Sequence, residues 1–369
     1  MPSERRAAVA RAGAILEIDL HAVVANWRRL KREVARTVRM AAVIKADAYG
    51  LGVAQVAPAL ARAGCDLFFV ASLDEGLALR KVLPKASIAI LDGLLAGGDG
   101  DFVRARLVPV LNELGQVMRW GKTHPYRPAI LHIDTGMERL GLSRAEVDRL
   151  TAHPTLLARI RLAAIMSHLA CADEPGHPKN PEQLARFRAS LAQLPHAPAS
   201  LASSSAIFLG RDYHFKIVRP GAALFGINPL PGKPNPMRAT VALRAKILQV
   251  RDVDAGATVG YGATHRMERP SRIATVAVGY ADGWLRSASD RGSAAIAGQR
   301  VPVVGRISMD LLTLDVTAIT ANRAKPGAYV DLLDDAYGID DAAEAAGTIG
   351  YEMLTLLGRR YARIYRGAR

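Results

Sequence analysis

The chain has 369 residues, of which 50% are hydrophobic, and it carries a formal net charge of +15 at pH 7. This length and apolar content can build a full core with two domains, which excludes a disordered protein. Aromatic residues make up only 5% of the chain and no basic cluster is interleaved with them, so we expect no nucleic-acid partner despite the positive charge.

The segment 1–11 is basic but lacks the apolar run of a signal peptide. No apolar run elsewhere approaches the roughly 18 residues that span a membrane. The two cysteines, Cys65 and Cys171, lie far apart and have no partner pattern, so we expect neither a disulfide nor a zinc site. These features predict a cytoplasmic protein without a membrane partner or a metal.

Between residues 39 and 226, eight short apolar segments alternate with amphipathic helical patterns such as 53–63, 73–82 and 182–194. Eight such units predict a (β/α)8 barrel, whose active site lies at the carboxyl ends of its strands. An open doubly wound sheet is the alternative, but no strand is followed by the G-x-G-x-x-G turn that is typical of that fold. The predicted strands are 40–45, 66–71, 87–91, 107–111, 129–133, 162–167, 199–203 and 216–219.

Residues 229–236, with the sequence PLPGKPNP, predict a linker because four prolines remove backbone donors. Closely spaced strand patterns with glycine turns follow, so we divide the chain into a barrel at 12–235 and a mostly-β carboxyl-terminal domain at 236–369. The alternating segment 14–19 precedes the barrel, so we expect it to join the sheet of the second domain, with Asp19 capping a helix to about residue 36. The predicted strands of this domain are 239–250, 272–278, 301–304, 311–316 and 328–333.

Lys45 ends the first predicted barrel strand, just before a glycine-rich bend at 46–52. A lysine at the end of a buried strand either reaches to water or is desolvated, and a desolvated amine becomes a nucleophile. Such an amine forms a Schiff base with a carbonyl, for which pyridoxal phosphate is the obvious candidate. Taken alone, the position favours a lysine that simply reaches to water.

Other polar residues also follow predicted strand ends, where the active site of a barrel forms. Each one alone is more often structural, but the whole set is difficult to explain by packing. A phosphate would find hydroxyls and backbone donors at 203–205, which open a helix, and in the turn at Gly221. The set consists of Lys45, Tyr49, Arg139, His168, Ser204 and Arg219.

These segments resemble the fold-type III pyridoxal phosphate enzymes and, within them, the alanine racemase family, over nearly the whole chain. Residues 42–52, AVIKADAYGLG, are similar to the family's cofactor-lysine segment, which implies a Schiff base on Lys45 and a phosphate near Tyr49. Residues 134–141, DTGMERLG, are similar to the segment whose arginine, here Arg139, holds the phenolic oxygen of the cofactor and the substrate carboxylate.

Two further barrel segments resemble the same family. His168 matches a histidine that packs beside the cofactor ring. Residues 218–226, VRPGAALFG, are similar to the stretch whose arginine, here Arg219, donates to the pyridine nitrogen.

The resemblance continues through the second domain, at 259–262, 279–283, 304–310 and 350–352. It implies that Tyr261 is the second catalytic base, that Met309 contacts substrate in the neighbouring subunit's site, and that Tyr351 binds the phosphate. It therefore implies a homodimer with shared active sites. The residues that match the family's substrate corridor are Asp173, Arg286, Arg306 and Ile349.

Several residues depart from the family pattern, although none of the departures removes a catalytic group. His132 stands where some members carry a carbamylated lysine that supports the arginine, and Glu138 replaces a small or amide residue. Ser200 and Ser203 replace a histidine and an asparagine, and Ser308 replaces a common cysteine. The departures change the side chains that would support Arg139 and Arg219.

The resemblance implies an isomerase that interconverts L-alanine and D-alanine and supplies D-alanine for peptidoglycan. Lys45 would serve the face of the D enantiomer and the partner's Tyr261 the face of the L enantiomer. A racemase of broader specificity is one alternative. A fold-type III decarboxylase would place a carboxylate rather than Arg219 at the ring nitrogen, and a non-enzymatic pyridoxal phosphate carrier would not need the second domain.

Overall fold

The computed structural model describes residue 7 and residues 9–367, which fall into two compact units. One unit is 23–238, and the other combines the residues up to 22 with those from 239 onward. The expectation about the basic segment 1–11 falls mostly outside the described residues. Among the described residues, no helix has both the length and the apolar character that crossing a bilayer requires.

The unit 23–238 is built on a parallel barrel, which confirms the predicted fold class. Its first strand has two pieces: Arg39–Met40 pairs with Ile217–Val218, and Ala42–Val43 pairs with Leu67–Val70. Because the first strand bonds to both the second and the last, the sheet closes on itself. The strands between them are Ser87–Ile90, Val108–Leu111, Pro128–His132, Arg161–Met166 and Ala199–Ser200.

Alternating strand residues fill the barrel interior, and the helices cover its outside. The seventh strand is shorter than predicted, since after Ser200 the chain leaves the sheet and enters the 3-10 helix Ser205–Leu209. The interior core includes Ala41, Leu67, Phe69, Ala89, Val110, Ile130, Ala164, Met166 and Ile217. The α-helices of this unit are Val53–Arg62, Leu73–Val82, Asp99–Arg104, Leu114–Thr123, Arg144–Ala152, Thr155–Ala158 and Lys179–Gln193, with further 3-10 turns at Arg211–Tyr213 and Ala222–Phe225.

The helix Leu20–Glu33 precedes the barrel and begins at the predicted cap. The Asp19 carboxylate accepts the N–H of His21 at 2.8 Å and that of Ala22 at 3.1 Å, which satisfies two donors of the first turn. The helix ends at Glu33 rather than near residue 36.

The other unit is mostly β. The strand Ala14–Asp19 pairs antiparallel with Val241–Val253 and parallel with Ala362–Arg366. The long strand Val241–Val253 also pairs with Ser271–Val276 and Tyr329–Leu333. The remaining strands are Thr258–Val259, His265–Arg266, Ser293–Ile296, Gln299–Pro302 and Leu312–Asp315, the α-helices are Ile339–Ala345 and Gly350–Leu356, and short 3-10 turns lie at Tyr261–Ala263, Tyr280–Asp282 and Arg286–Ala288.

The segment 229–236 contains neither helix nor strand, as the prolines predict. It is nevertheless tied down by side-chain amides. The Asn228 amide donates to the carbonyl of Lys233 at 2.8 Å, and the Asn235 amide donates to the carbonyl of Gly226 at 2.8 Å. The segment is therefore a hydrogen-bonded loop of defined shape rather than an unstructured linker.

Candidate active site

The first barrel strand leads into a left-handed turn that begins directly after Lys45. The four residues after it, 46–49, have φ between 52° and 57°. Each such value costs an L residue about 1–2 kcal/mol, so the turn stores strain and needs neighbours to hold it. Gly50 and Gly52, with φ of 81° and 94°, then lead the chain into the helix Val53–Arg62.

Lys45 itself is exposed in the single chain. The idea of a lysine desolvated at the end of a buried strand is therefore wrong for one subunit. The physical reason is that the strand stops at Val43, so Lys45 lies beyond the strand, just before the left-handed turn at the open mouth of the barrel.

Ser204, Gly221 and Tyr49 meet in a polar corner, formed where the chain leaves the seventh and eighth strands. The Oγ of Ser204 accepts the N–H of Gly221 at 3.0 Å and that of Ala223 at 3.2 Å, so its own proton is left to donate. The Tyr49 ring packs on Phe225 at a centroid distance of 4.8 Å. A Cβ on Gly221 would lie 2.4 Å from the Tyr49 hydroxyl oxygen, so only glycine allows this approach. The structure thus brings together three of the residues predicted to hold a phosphate.

Arg219 is a buried cation, with 4% of its surface exposed. Its guanidinium donates to the Ser200 hydroxyl and, at 2.6 Å, to the carbonyl of Ser167. Ser200 in turn donates to the carbonyl of Ile217 at 2.8 Å. No carboxylate pairs with Arg219 among the described residues. Burial lowers the pKa of Arg219 to about 10, which still leaves it protonated at neutral pH.

His168 follows the sixth strand and is held from outside the barrel by Gln183. The Gln183 amide donates to the carbonyl of His168 at 2.9 Å, and its oxygen accepts the N–H of Ala170 at 2.8 Å. Burial, followed by the charges of Arg219 and Arg139 and by smaller effects of His132 and Lys45, lowers the pKa of His168 to about 3. Four of the predicted strand-end residues therefore share one electrostatic neighbourhood, with His168 neutral among the cations.

His132 is buried and, like His168, neutral beside the same arginines. The Asn112 amide donates to the carbonyl of Leu91 at 2.9 Å, which fixes its oxygen as the acceptor that lies 2.7 Å from His132 Nδ1. The proton of neutral His132 is therefore on Nδ1, and Nε2 keeps its lone pair. Burial, and next the charge of Arg219, lowers the pKa of His132 to about 4, although Asp134 acts in the opposite direction.

The pKa of His132 makes a prediction for stability. Because the folded pKa of about 4 lies below the unfolded value of 6.5, stability is complete above pH 6.5 and is lost as pH falls toward 4. Between pH 7 and pH 5 this single group should cost about 2 kcal/mol of unfolding free energy. When the pH is lowered from 7 to 5, the unfolding free energy of His132→Gln, measured by urea titration, should fall by about 2 kcal/mol less than that of the wild type. Equal losses in the two proteins would contradict a buried, neutral His132.

Arg139 lies in the loop after the fifth strand and is exposed. It lines a cavity of about 590 Å³ together with Asp134 and Arg186, and the lining of that cavity includes neither Lys45 nor Arg219. The preceding residue, Glu138, has a φ of 55°. The small or amide residue expected there adopts this conformation more readily, so Glu138 adds about 1 kcal/mol of strain to the loop.

Tyr261 belongs to the other unit, where it is 71% exposed on a tight turn. Gly260 and Gly262 flank it with φ of 78° and 72°. A Cβ on Gly262 would lie 2.8 Å from the guanidinium of Arg306, and one on Gly305 would lie 2.7 Å from the carbonyl oxygen of Val259. The turn that presents Tyr261 is therefore packed directly against the segment that carries Arg306.

Met309 is 54% exposed and sits on a turn that Ser308 closes. The Ser308 hydroxyl donates to the carbonyl of Leu311 at 2.9 Å, a role that a cysteine would fill with a weaker bond. The carbonyl of Met309 accepts the N–H of Ala281 at 2.9 Å. Arg360 bonds both Asp282 at 2.8 Å and Asp310 at 2.6 Å, which fixes the turn from its other side.

The residues predicted for the substrate corridor are all exposed, and three of them belong to the unit that also carries Tyr261 and Tyr351. Ile349 immediately precedes the helix Gly350–Leu356, which presents Tyr351. Ser287, next to Arg286, donates to the carbonyl of Ala346 at 2.7 Å and so ties that turn to the loop before Ile349. Asp173 lies in the barrel unit. No contact described here assigns these four residues to a corridor, so the corridor stays a prediction.

The sequence did not point to two carboxylates near Lys45, those of Glu75 and Asp92. Burial raises the pKa of Asp92, the Glu75 carboxylate raises it further, and Lys45 lowers it. The two carboxylates therefore lie close to the predicted cofactor lysine. A signal for Glu75 was present in the motif Ser72-x-x-Glu75, which is typical of a helix start. No sequence signal pointed to Asp92.

The amino-acid sequence matches two family models, "Alanine racemase, N-terminal domain" over residues 18–229 and "Alanine racemase, C-terminal domain" over 240–365. An alanine racemase of Rhodospirillum rubrum is 50% identical over 364 residues, 97% of each chain. A catabolic alanine racemase of Mesorhizobium japonicum is 48% identical over 363 residues, 97% of this chain and 94% of its own. The crystal structure of alanine racemase from Bartonella henselae with covalently bound pyridoxal phosphate superposes with a TM-score of 0.92 at 41% identity, covering 96% of this chain and 100% of that one.

Proposed function

The chain belongs to the alanine racemase family, and we propose that it interconverts L-alanine and D-alanine by moving the α-proton between two side chains, Lys45 and Tyr261 of the partner subunit. It is an isomerase that depends on pyridoxal phosphate. The observation that carries the proposal is that Lys45, Arg139, His168 and Arg219 all follow barrel strands at their carboxyl ends, with the three cations close enough to His168 for their charges to lower its pKa. The relatives described above give no support to a decarboxylase or a cofactor carrier.

The barrel residues fit the phosphate end of the cofactor. Ser204, Gly221 and Tyr49 form a corner lined by two hydroxyls from which a phosphate can receive hydrogen bonds, and the corner admits no Cβ at Gly221. Phosphate carries negative charge, and the neighbouring strand ends are rich in cations. We assign this corner to the phosphate, and we propose Tyr351 as a further phosphate-binding residue, as the family resemblance implies.

Arg219 fits the ring end of the cofactor. A buried guanidinium without a carboxylate partner loses hydration that it must recover from another acceptor. Its two described bonds leave N–H groups to donate, and it stays protonated because its pKa is about 10. It can therefore donate to the ring nitrogen but cannot protonate it readily. A decarboxylase would instead require a carboxylate at this position.

Bound pyridoxal phosphate draws electrons from the α-carbon and so acidifies its proton. The side chains have to hold the substrate and move that proton. Arg139 is assigned to the substrate carboxylate, since its planar fork of donors suits a carboxylate. Lys45 attaches the cofactor, and after release it exchanges the proton on the face of the D enantiomer, while Tyr261 exchanges it on the face of the L enantiomer.

We propose a homodimer in which each site takes Tyr261 and Met309 from the other subunit. Support comes from their exposure in the single chain, 71% and 54%, since large apolar side chains that remain exposed mark interaction surfaces. The substrate corridor of Asp173, Arg286, Arg306 and Ile349 belongs to the same proposal.

The proposed function is tested by two linked measurements. Purified protein incubated with L-alanine should form D-alanine until the two enantiomers are equal, because the free energies of enantiomers are identical. Borohydride reduction followed by peptide mapping should place the cofactor on Lys45. A protein without racemisation would contradict the activity, and an adduct on another lysine of the wild type would contradict the assignment of Lys45.

We also propose a cytoplasmic role in supplying D-alanine for peptidoglycan. Both cysteines are free, Cys65 in the core and Cys171 partly exposed, which suits a reducing compartment. A producing strain in which the gene is depleted should require D-alanine in the medium. Normal growth without D-alanine would show that another enzyme supplies it and that this one has a different role.

A further inference from the structure

The sequence Ser72-x-x-Glu75 is that of a capping box, but the structure uses Glu75 differently. The first half of the box is present, since the Ser72 hydroxyl accepts the N–H of Glu75 at 3.3 Å. In the second half, the Glu75 carboxylate would accept the N–H of Ser72. Instead, Oε2 accepts the N–H of Ala71 at 2.8 Å and Oε1 accepts the N–H of Ala46 at 2.7 Å.

Ala46 directly follows Lys45 and is the first residue of the left-handed turn. The backbone bonds of this turn begin with Ala48, whose N–H donates to the carbonyl of Ile44 at 3.0 Å. At the start of a turn the first N–H groups have no partner within it, so the N–H of Ala46 needs an outside acceptor. Glu75 supplies that acceptor from the helix after the second strand.

The far end of the turn has its own carboxylate. Asp47 accepts the N–H of Val53 at 2.7 Å and so ties the turn to the start of the next helix. Glu75 is therefore the side chain that joins the near end of the turn, beside Lys45, to the end of the neighbouring strand at Ala71. Both bonds are charge-assisted, which makes them shorter and stronger than bonds to a neutral acceptor.

We propose that Glu75 is a positioning residue for Lys45, holding the strained turn so that the lysine amine stays where it attaches the cofactor and exchanges the proton. This inference rests on the proposed function of Lys45. A glutamine cannot replace Glu75, since it offers one acceptor oxygen and turns an NH₂ group toward the second N–H. An aspartate keeps the charge but is one methylene shorter, so it cannot serve both N–H groups.

The test compares Glu75→Gln and Glu75→Asp with Asp74→Asn in the holoenzyme. Asp74 lies in the same first helical turn and is exposed, so its change removes the same charge without touching Lys45. Hydrogen–deuterium exchange resolved to single residues should speed up about tenfold or more at Ala46 and Ala71 in both Glu75 variants, with the control unchanged. Exchange at Ala46 equal to that of the control would overturn the proposed contact.

Kinetics separate positioning of Lys45 from general loosening of the fold. Both Glu75 variants should lower kcat about tenfold. With α-deuterated substrates, the isotope effect should rise for D-alanine, whose proton Lys45 removes, and fall for L-alanine, whose proton Tyr261 removes in a step that then limits the rate less. Equal changes in both directions, or a Glu75→Asp variant with wild-type kinetics, would refute a positioning role for Glu75. A failure of the Lys45 assignment itself would show separately, as a borohydride adduct elsewhere in the wild type.

Discussion

Mixing two nearly inactive variants, Lys45→Ala and Tyr261→Phe, should restore about a quarter of the wild-type active sites. Each variant alone should lose roughly 10²–10⁴ of its rate, the usual contribution of a positioned acid or base. If the subunits reassociate randomly, about half of the dimers are mixed. If each site takes Lys45 and Tyr261 from different chains, as proposed, each mixed dimer has one site that lacks both residues and one site that has both.

The experiment needs proof that the subunits have exchanged. An affinity tag on one variant should retain the other variant after mixing, and each variant mixed with itself provides the baseline. If Lys45 and Tyr261 of one site came from the same chain, every site in every dimer would lack one of them. The mixture would then stay as inactive as its parents, which would refute the shared site.

Gly283→Ala should destabilise the protein by more than about 3 kcal/mol. Gly283 has a φ of 88°, and an added Cβ would lie 1.9 Å from the carbonyl oxygen of Leu356 and 2.4 Å from its carbon. Since both are backbone atoms, the end of the helix Gly350–Leu356 would have to move. That helix carries Tyr351, so if Tyr351 binds the phosphate as proposed, weaker binding of the cofactor should accompany the loss of stability.

Gly298 provides a matched control in the same unit. Its φ is 81°, but an added Cβ would have no heavy atom within 4 Å. Gly298→Ala should therefore cost only the strain of the left-handed conformation, about 1–2 kcal/mol. Urea unfolding of both variants measures the difference, and similar midpoints would show that the close approach to Leu356 does not matter.

The predicted barrel is confirmed because its signal is local and repeated. Strands such as 87–91 and 107–111 are covered on both faces, so nearly all of their side chains are apolar. In the sequence they therefore appear as short hydrophobic runs separated by amphipathic helices. Among the described residues of the other unit, the strands that the sequence did not predict are Thr258–Val259, His265–Arg266, Ser293–Ile296 and Ala362–Arg366. The pair His265–Arg266 and Thr258–Val259 is only two residues long, too short for any alternation of side chains to be visible.

The sequence by itself determined the barrel and, through its resemblance to a family, which residues to examine: Lys45, Arg139, Arg219 and Tyr261. Only the tertiary structure decided how some of them are held. Ala46 and Ala48 do not favour a left-handed turn, and a contact from Glu75, 29 positions from Ala46, holds the near end of that turn. Likewise Ser200 supports Arg219, and Asn112 fixes the proton of His132. These hydrogen bonds join separate strands and helices that are far apart in the sequence. A local sequence pattern predicts a strand or a helix, but it does not specify which donor meets which acceptor after the barrel has closed.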